Sequence, residues 1–188
     1  EVTADPAAPS VLYNNAAGMT ELEGTQIEAG ATFIRPSQTV QTTTAAGTEN
    51  NDADSKWWTP PHAYATHQFN DKVWTGVGIF SRYGLGVDYE DDWAGRYSCQ
   101  EPTIQSIDVN PSVAFKALDN LSLAAGLRAE WFEFELFQAV PAPAPLGPAL
   151  ASDSRMHIKG DSWGIGYNLG AFYKATDWLA FGLAFDSE

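Results

Sequence analysis

The sequence has 188 residues, 44% apolar and only 18% charged, with a net charge of −14. That acidic balance excludes a nucleic-acid surface, which needs clustered Lys and Arg to neutralise phosphates. The single cysteine excludes an internal disulfide framework and a Cys-based zinc site, and no apolar run approaches the ~18 residues of a transmembrane helix.

Residues 1–23 show no strand period; they hold small residues and the stretch Asn14-Asn15-Ala16-Ala17-Gly18-Met19. From Thr25 onward apolar and polar residues alternate with period two, the signature of strands with two unlike faces. The pattern predicts seven strands, at 25–35, 57–69, 73–89, 103–117, 121–136, 162–174 and 178–187. The third puts Val73, Thr75, Val77, Ile79, Tyr83, Leu85 and Val87 on one face, against Gly76, Gly78, Arg82, Gly84, Gly86 and Asp88. The fourth sets Ile107, Val109, Val113 and Phe115 against Ser106, Asp108, Asn110, Ser112 and Lys116. The fifth carries Leu121, Leu123, Ala125, Leu127, Ala129 and Trp131 on one face. After Trp131 the parity inverts to Phe132, Phe134 and Leu136, which predicts either a bulge or strand that has left the membrane. In the sixth, Trp163, Ile165, Tyr167, Leu169, Ala171 and Tyr173 form a face that is apolar in the middle and aromatic at both ends, as a lipid-facing barrel strand requires.

The connections alternate in length. Asn70-Asp71-Lys72, Leu118-Asp119-Asn120 and Ala175-Thr176-Asp177 are tight Asp/Asn turns, while 37–56, 90–102 and 137–161 are long. Barrels of the bacterial outer membrane sort their loops in this way, short on the periplasmic side and long outside. The expected fold is therefore an all-β antiparallel transmembrane β-barrel. Residues 1–23 form an N-terminal segment and 24–188 the first seven strands of an incomplete barrel. The chain reads as a fragment, since it opens in mature-like sequence at Glu1 and stops at Glu188 inside a strand.

Catalysis finds no constellation. His62, His67 and His157 lack metal-ligand spacing, and His62 and His67, five apart in a strand, face opposite ways. No Gly-x-Ser-x-Gly motif is present. The acidic stretches 49–54 and 88–92 do not match a calcium-loop spacing and read as solvated external loops. No catalytic residue, metal or cofactor is expected. Arg128 and Glu130 share a face two residues apart and read as an ion pair in the barrel lumen, with recognition of a ligand carboxylate by Arg128 as the alternative.

Several segments resemble the FadL/TodX family of outer-membrane transporters for long-chain fatty acids and other hydrophobic molecules. Residues 10–19, Ser-Val-Leu-Tyr-Asn-Asn-Ala-Ala-Gly-Met, resemble that family's N-terminal hatch segment, with Ala16 where the family has Pro. Trp58-Thr-Pro-Pro-His-Ala-Tyr64 is similar to its second strand, and Ser81-Arg-Tyr-Gly-Leu85 with Asp92-Trp-Ala-Gly95 to its third strand and following loop. Gly160 to Gly170 resembles the sixth. The resemblance implies a monomeric fourteen-stranded barrel plugged by a hatch, of which this chain holds the first half. It implies passive uptake of a hydrophobic ligand, a fatty acid or a hydrocarbon, across the membrane lipid; at the acidic external loops, divalent ions would bridge to lipopolysaccharide. It further implies a pocket bounded by Asn15, Ala16 and Ala17, and lateral exit at a kink near Arg82, Tyr83 and Gly84. Phe137, Val140, Leu146 and Leu150 would line a ligand-capturing loop. A scaffold barrel or β-sandwich serving as an adhesin is the rival reading.

Overall fold

The computed structural model describes residues 6–44, 47–54, 56–141 and 153–187. One curved antiparallel sheet dominates. Its strands are β1 (Thr25–Ala31), β4 (Pro61–Asn70), β5 (Val73–Phe80), β6 (Gly84–Gly86), β7 (Glu101–Leu118), β8 (Leu121–Val140), β9 (Ser154–Thr176) and β10 (Leu179–Asp186). The order across the sheet is β1-β4-β5-β7-β8-β9-β10, with β6 on β7, so every spanning strand pairs with its sequence neighbour. β5 and β6 together are the third expected strand, so the count of seven holds. The short turns lie at one end. Asn70 closes the first by accepting the N–H groups of Lys72 and Val73 on its side-chain oxygen, at 2.9 and 3.0 Å.

The alternation acts as expected. From Trp163 to Tyr173 of β9 the odd residues point out to lipid, and Ile165 is 86% exposed. Even residues point inward, where Phe172 is 3% exposed. Trp131 stands opposite Trp163 in the β8–β9 ladder, which runs without a shift from Leu121–Tyr173 to Val140–Ser154. The parity inversion after Trp131 is therefore no bulge. β8 and β9 hold 20 and 23 residues, about twice what a bilayer needs, so their outer halves stand clear of the membrane. There the outward face meets water and turns polar, while Phe132, Phe134 and Leu136 turn apolar toward the lumen.

Several boundaries differ from the sequence reading: β1 stops at Ala31 where the pattern ran to 35, β4 starts at Pro61 where it began at 57, and β6 stops at Gly86 where it ran to 89. The long connection at 37–56 contains a hairpin, β2 (Thr39–Thr44) and β3 (Gly47–Asp52), apart from the main sheet. Its Thr, Gln and Asn side chains bond across the ladder, Thr39 to Asp52 and Gln41 to Asn50, which replaces the apolar face that alternation would have revealed. The connection at 137–161 is shorter than expected, because Phe137 and Val140 are strand residues of β8 and β9 begins at Ser154; Leu146 and Leu150 lie outside the described residues. The third strand is broken between Phe80 and Gly84.

The core lies between the concave face and the N-terminal segment. That segment forms a helical turn, α1 (Val11–Asn14), and a 3-10 turn over Ala16–Glu21. Leu12, Ala17, Met19 and Leu22 pack against Tyr64, Trp74, Phe80, Ala114, Ala124 and Phe172. Burying each large apolar side chain contributes about 1.5–3 kcal/mol. The close approach uses glycine: a Cβ on Gly76 would sit 2.5 Å from the Met19 sulfur, and one on Gly170 would strike the side chain of Asn15.

Candidate functional site: a window in the wall and the pocket behind it

Asn15 anchors the N-terminal segment. Its side-chain oxygen accepts the Ala17 N–H at 3.1 Å and its amide donates to the Ala171 carbonyl at 2.9 Å. Ala16 takes the first position of the 3-10 turn, a place that suits Pro but does not require it. Ala16 and Ala17 are 6% and 0% exposed. Lower down, the Trp74 indole donates to the Leu22 carbonyl at 2.8 Å, and the Thr20 and Ser122 hydroxyls meet at 2.7 Å. Glu21 pairs with Lys174 at 3.2 Å and Lys116 at 4.0 Å.

Above these anchors the wall opens. β4 and β5 pair as far as His62 with Phe80, and β6 pairs with β7 alone. Phe80 stands opposite Asp108 and Gly84 opposite Gln105, so four steps along the broken strand match three along β7. One extra residue is absorbed, and an odd insertion exchanges the faces of a strand. Leu85 accordingly pairs with Ile104 on the lumenal side, and Tyr83 sets its ring edge-on to Phe132 at 6.5 Å. The expected single face from Val73 to Val87 is thus corrected: it flips at Arg82-Tyr83.

The missing partner of β6 has a cause in β4. The Pro60 carbonyl accepts from Thr32 on the β1 side, so the next residue, Pro61, is directed toward β5 and β6. Pro has no N–H to give there. Asp54 and residues 56–60 then border the opening. They are held by the Ile34–Trp58 and Asp54–Asp88 bridges and by Lys56, which reaches Asp88 at 2.7 Å and Glu101 at 2.9 Å. The Asp88 hydrogen bond, then that of Glu101, pushes the Lys56 ammonium above its ordinary pKa. What remains is a closed frame around a void of about 230 Å³, lined by Trp57, Trp58, Pro60, Ser81, Gly84 and Ser106 among others. Behind it, between α1 and the ends of β4 and β5, lies a pocket of about 460 Å³. Pro60, Pro61 and Ser81 line both. The pocket wall is aromatic: Tyr64 stacks on Phe80 at 5.8 Å, and Tyr13 meets Phe80 edge-on at 4.9 Å.

The charges expected in the lumen converge beside this pocket. Arg128 pairs with Glu130 at 3.8 Å, with Asp108 at 3.5 Å and with Asp186 at 3.5 Å. Arg82 joins from the break, 3.8 Å from Asp108 and 3.5 Å from Asp186, with its guanidinium over the rings of Tyr13 and Phe80. Three carboxylates thus surround two guanidiniums. The inward parity of Asp108 was legible in the sequence; its meeting with Arg82, Arg128 and Asp186 was not.

Other expected site residues fall elsewhere. Phe137 is on the outward face, stacked on His157 at 4.1 Å with Arg155 above it. Ile104, Phe132, Phe134, Leu136, Met156 and Ile158 form an apolar lumenal stripe at the outer end, by the register of β7, β8 and β9. The parity inversion was its signal in the sequence. Among the described residues no cluster of His, Cys, Asp or Glu could hold a metal ion.

The profile of the family described as outer membrane protein transport protein (OMPP1/FadL/TodX) matches residues 1–188. The long-chain fatty acid transport protein of Salmonella typhi is 28% identical over 192 residues, which cover 94% of this chain and 44% of that protein. The toluene transporter TbuX of Ralstonia pickettii shares the fold with a TM-score of 0.77 at 19% identity, over 100% of this chain and 54% of its own. A FadL homologue of Pseudomonas aeruginosa gives 0.71 at 21% identity, over 98% and 48%. The chain thus spans about half the length of the relatives it matches. With the profile running through the N-terminal segment, the broken strand and the sheet alike, this outer-membrane β-barrel chain belongs to the FadL/TodX family.

Proposed function

We propose that the protein takes up hydrophobic small molecules, such as long-chain fatty acids, by passive transport across the outer membrane, without enzymatic chemistry and as a monomer. The ligand is captured on the apolar lumenal stripe of β7, β8 and β9 together with Val140, passes to the aromatic pocket beside α1, and leaves sideways through the window. Residues 1–23 act as a hatch, with Asn15, Ala16 and Ala17 holding it on the wall. Arg82, Tyr83 and Gly84 form the gate. Lipopolysaccharide meets the outward charged rows above Trp131 and Trp163. The observation that carries the reading is that pocket and window share Pro60, Pro61 and Ser81.

The test is uptake of labelled oleate by a deletion strain expressing the full-length protein or its Gly84→Trp variant. A Cβ on Gly84 would meet only the Ser81 hydroxyl, at 3.3 Å, so an indole can grow into the void. Uptake that falls to the deletion background in the variant supports lateral exit. Wild-type uptake in the variant rules it out, and no uptake of oleate or alkane by the parent rules out transport.

One observation favours a neutral hydrocarbon over a fatty acid. Among the described residues no Lys or Arg lines the pocket, and Arg82 and Arg128 are already engaged by Asp108, Glu130 and Asp186. Uptake of alkane exceeding that of oleate would establish this reading; the reverse order would remove it.

A further inference from the structure

A gap in a β-sheet leaves main-chain groups without ladder partners, and buried N–H groups need acceptors. At the break the N–H groups of Arg82 and Tyr83 both turn to one atom, the hydroxyl oxygen of Ser106, at 3.2 and 3.0 Å. The Ser106 N–H donates in return to the Tyr83 carbonyl at 2.7 Å. Ser106 lies on the lumenal face of β7, is 2% exposed, and lines the window. It stands next to the point where the register changes, between Asp108 opposite Phe80 and Gln105 opposite Gly84.

We propose that Ser106 is the positioning residue that holds the window open. A hydroxyl oxygen has two lone pairs, so one short side chain takes both N–H groups freed by the extra residue. With those donors satisfied, the segment does not need to straighten against Pro60-Pro61 or slide along β7. The residue touches no ligand; it acts through the backbone of Arg82 and Tyr83. Its importance for transport rests on the lateral-exit reading above, while its hold on the break does not.

The test uses full-length protein carrying Ser106→Ala or Ser106→Thr, with folding checked by the heat-dependent electrophoretic mobility of intact barrels. Threonine keeps the hydroxyl and alanine removes it. Amide hydrogen exchange at residues 82–84 is expected to be about tenfold faster in S106A, the scale of one lost hydrogen bond, and within threefold of the parent in S106T. Oleate or alkane uptake is expected to fall at least tenfold in S106A and to persist in S106T. If S106A does not fold, Ser106→Cys, nearly isosteric with a weak acceptor, carries the same comparison. Unchanged exchange in the variant lacking the hydroxyl overturns the proposal, as does equal loss of uptake in the Ala and Thr variants. Faster exchange with parental uptake means that the window stays open without the hydroxyl and overturns the proposal, while lateral exit itself stands or falls on the Gly84→Trp uptake.

Discussion

The wall made by β7, β8 and β9 and the wall made by β4, β5 and β6 are built of the same alternating residues, yet the window lies in the second. In the first, Pro111 also removes a donor from mid-strand. There the side-chain amide of Asn110 donates to the Leu127 carbonyl at 2.7 Å, and the ladder resumes at Ser112–Gly126. In the second, Pro60-Pro61 meets a strand with one residue too many, and the freed N–H groups are gathered on Ser106 instead of being returned to the ladder. A missing donor alone does not open a sheet. It opens where the neighbouring strand also changes register.

The largest test of that contrast removes the charge at the foot of the seam. Asp108→Ala leaves Arg82 and Arg128 beside a vacated site and should destabilise the full-length barrel by about 3 kcal/mol, read from urea unfolding. A loss under about 0.5 kcal/mol would mean that lumenal water already screens the pair. On the intact wall, Ile165→Arg should cost about 2–4 kcal/mol because it points to lipid. Gly164→Arg, one residue away and with nothing within 4 Å of its Cβ, should be nearly neutral. Similar costs at both positions would break the assignment of faces. A smaller effect is expected below the seam, where Trp74→Phe removes the hydrogen bond to the Leu22 carbonyl and should cost about 1 kcal/mol.

The mildest effect lies in the outer connection between β6 and β7. Burial pushes the Cys99 thiol above its ordinary pKa. Thiolate is the reactive form, so maleimide labelling should be slow at neutral pH and rise as the pH passes the ordinary thiol range. Rapid labelling at pH 7 would show that this loop opens to solvent.

The evenly alternating strands were readable because one face needs apolar residues and the other does not. The odd residues from Trp163 to Tyr173 could be assigned to lipid one by one. The β2–β3 hairpin was not readable, since its faces are both polar and its order comes from Thr, Gln and Asn pairs across the ladder. Phe137 was misplaced for a related reason: beyond the membrane the apolar code changes sides, so a Phe on the outward face looks like part of a loop. The kink was expected at Arg82-Tyr83-Gly84, and the structure breaks the strand there. The accompanying exchange of faces at Tyr83 and Leu85 was missed, because an inserted residue has no local signature in a Gly-rich strand.

By itself the sequence determined the number of spanning strands, their lipid faces and the end at which the turns are short, because these follow from periodicity and turn chemistry along the chain. Only the tertiary structure decided which residues meet. Asp108, Arg128 and Asp186 converge from three strands with Arg82 from the break, and Ser106 finds two N–H groups more than twenty positions away. Such contacts depend on register between neighbouring strands, and a register shifted by one residue changes every contact beyond it.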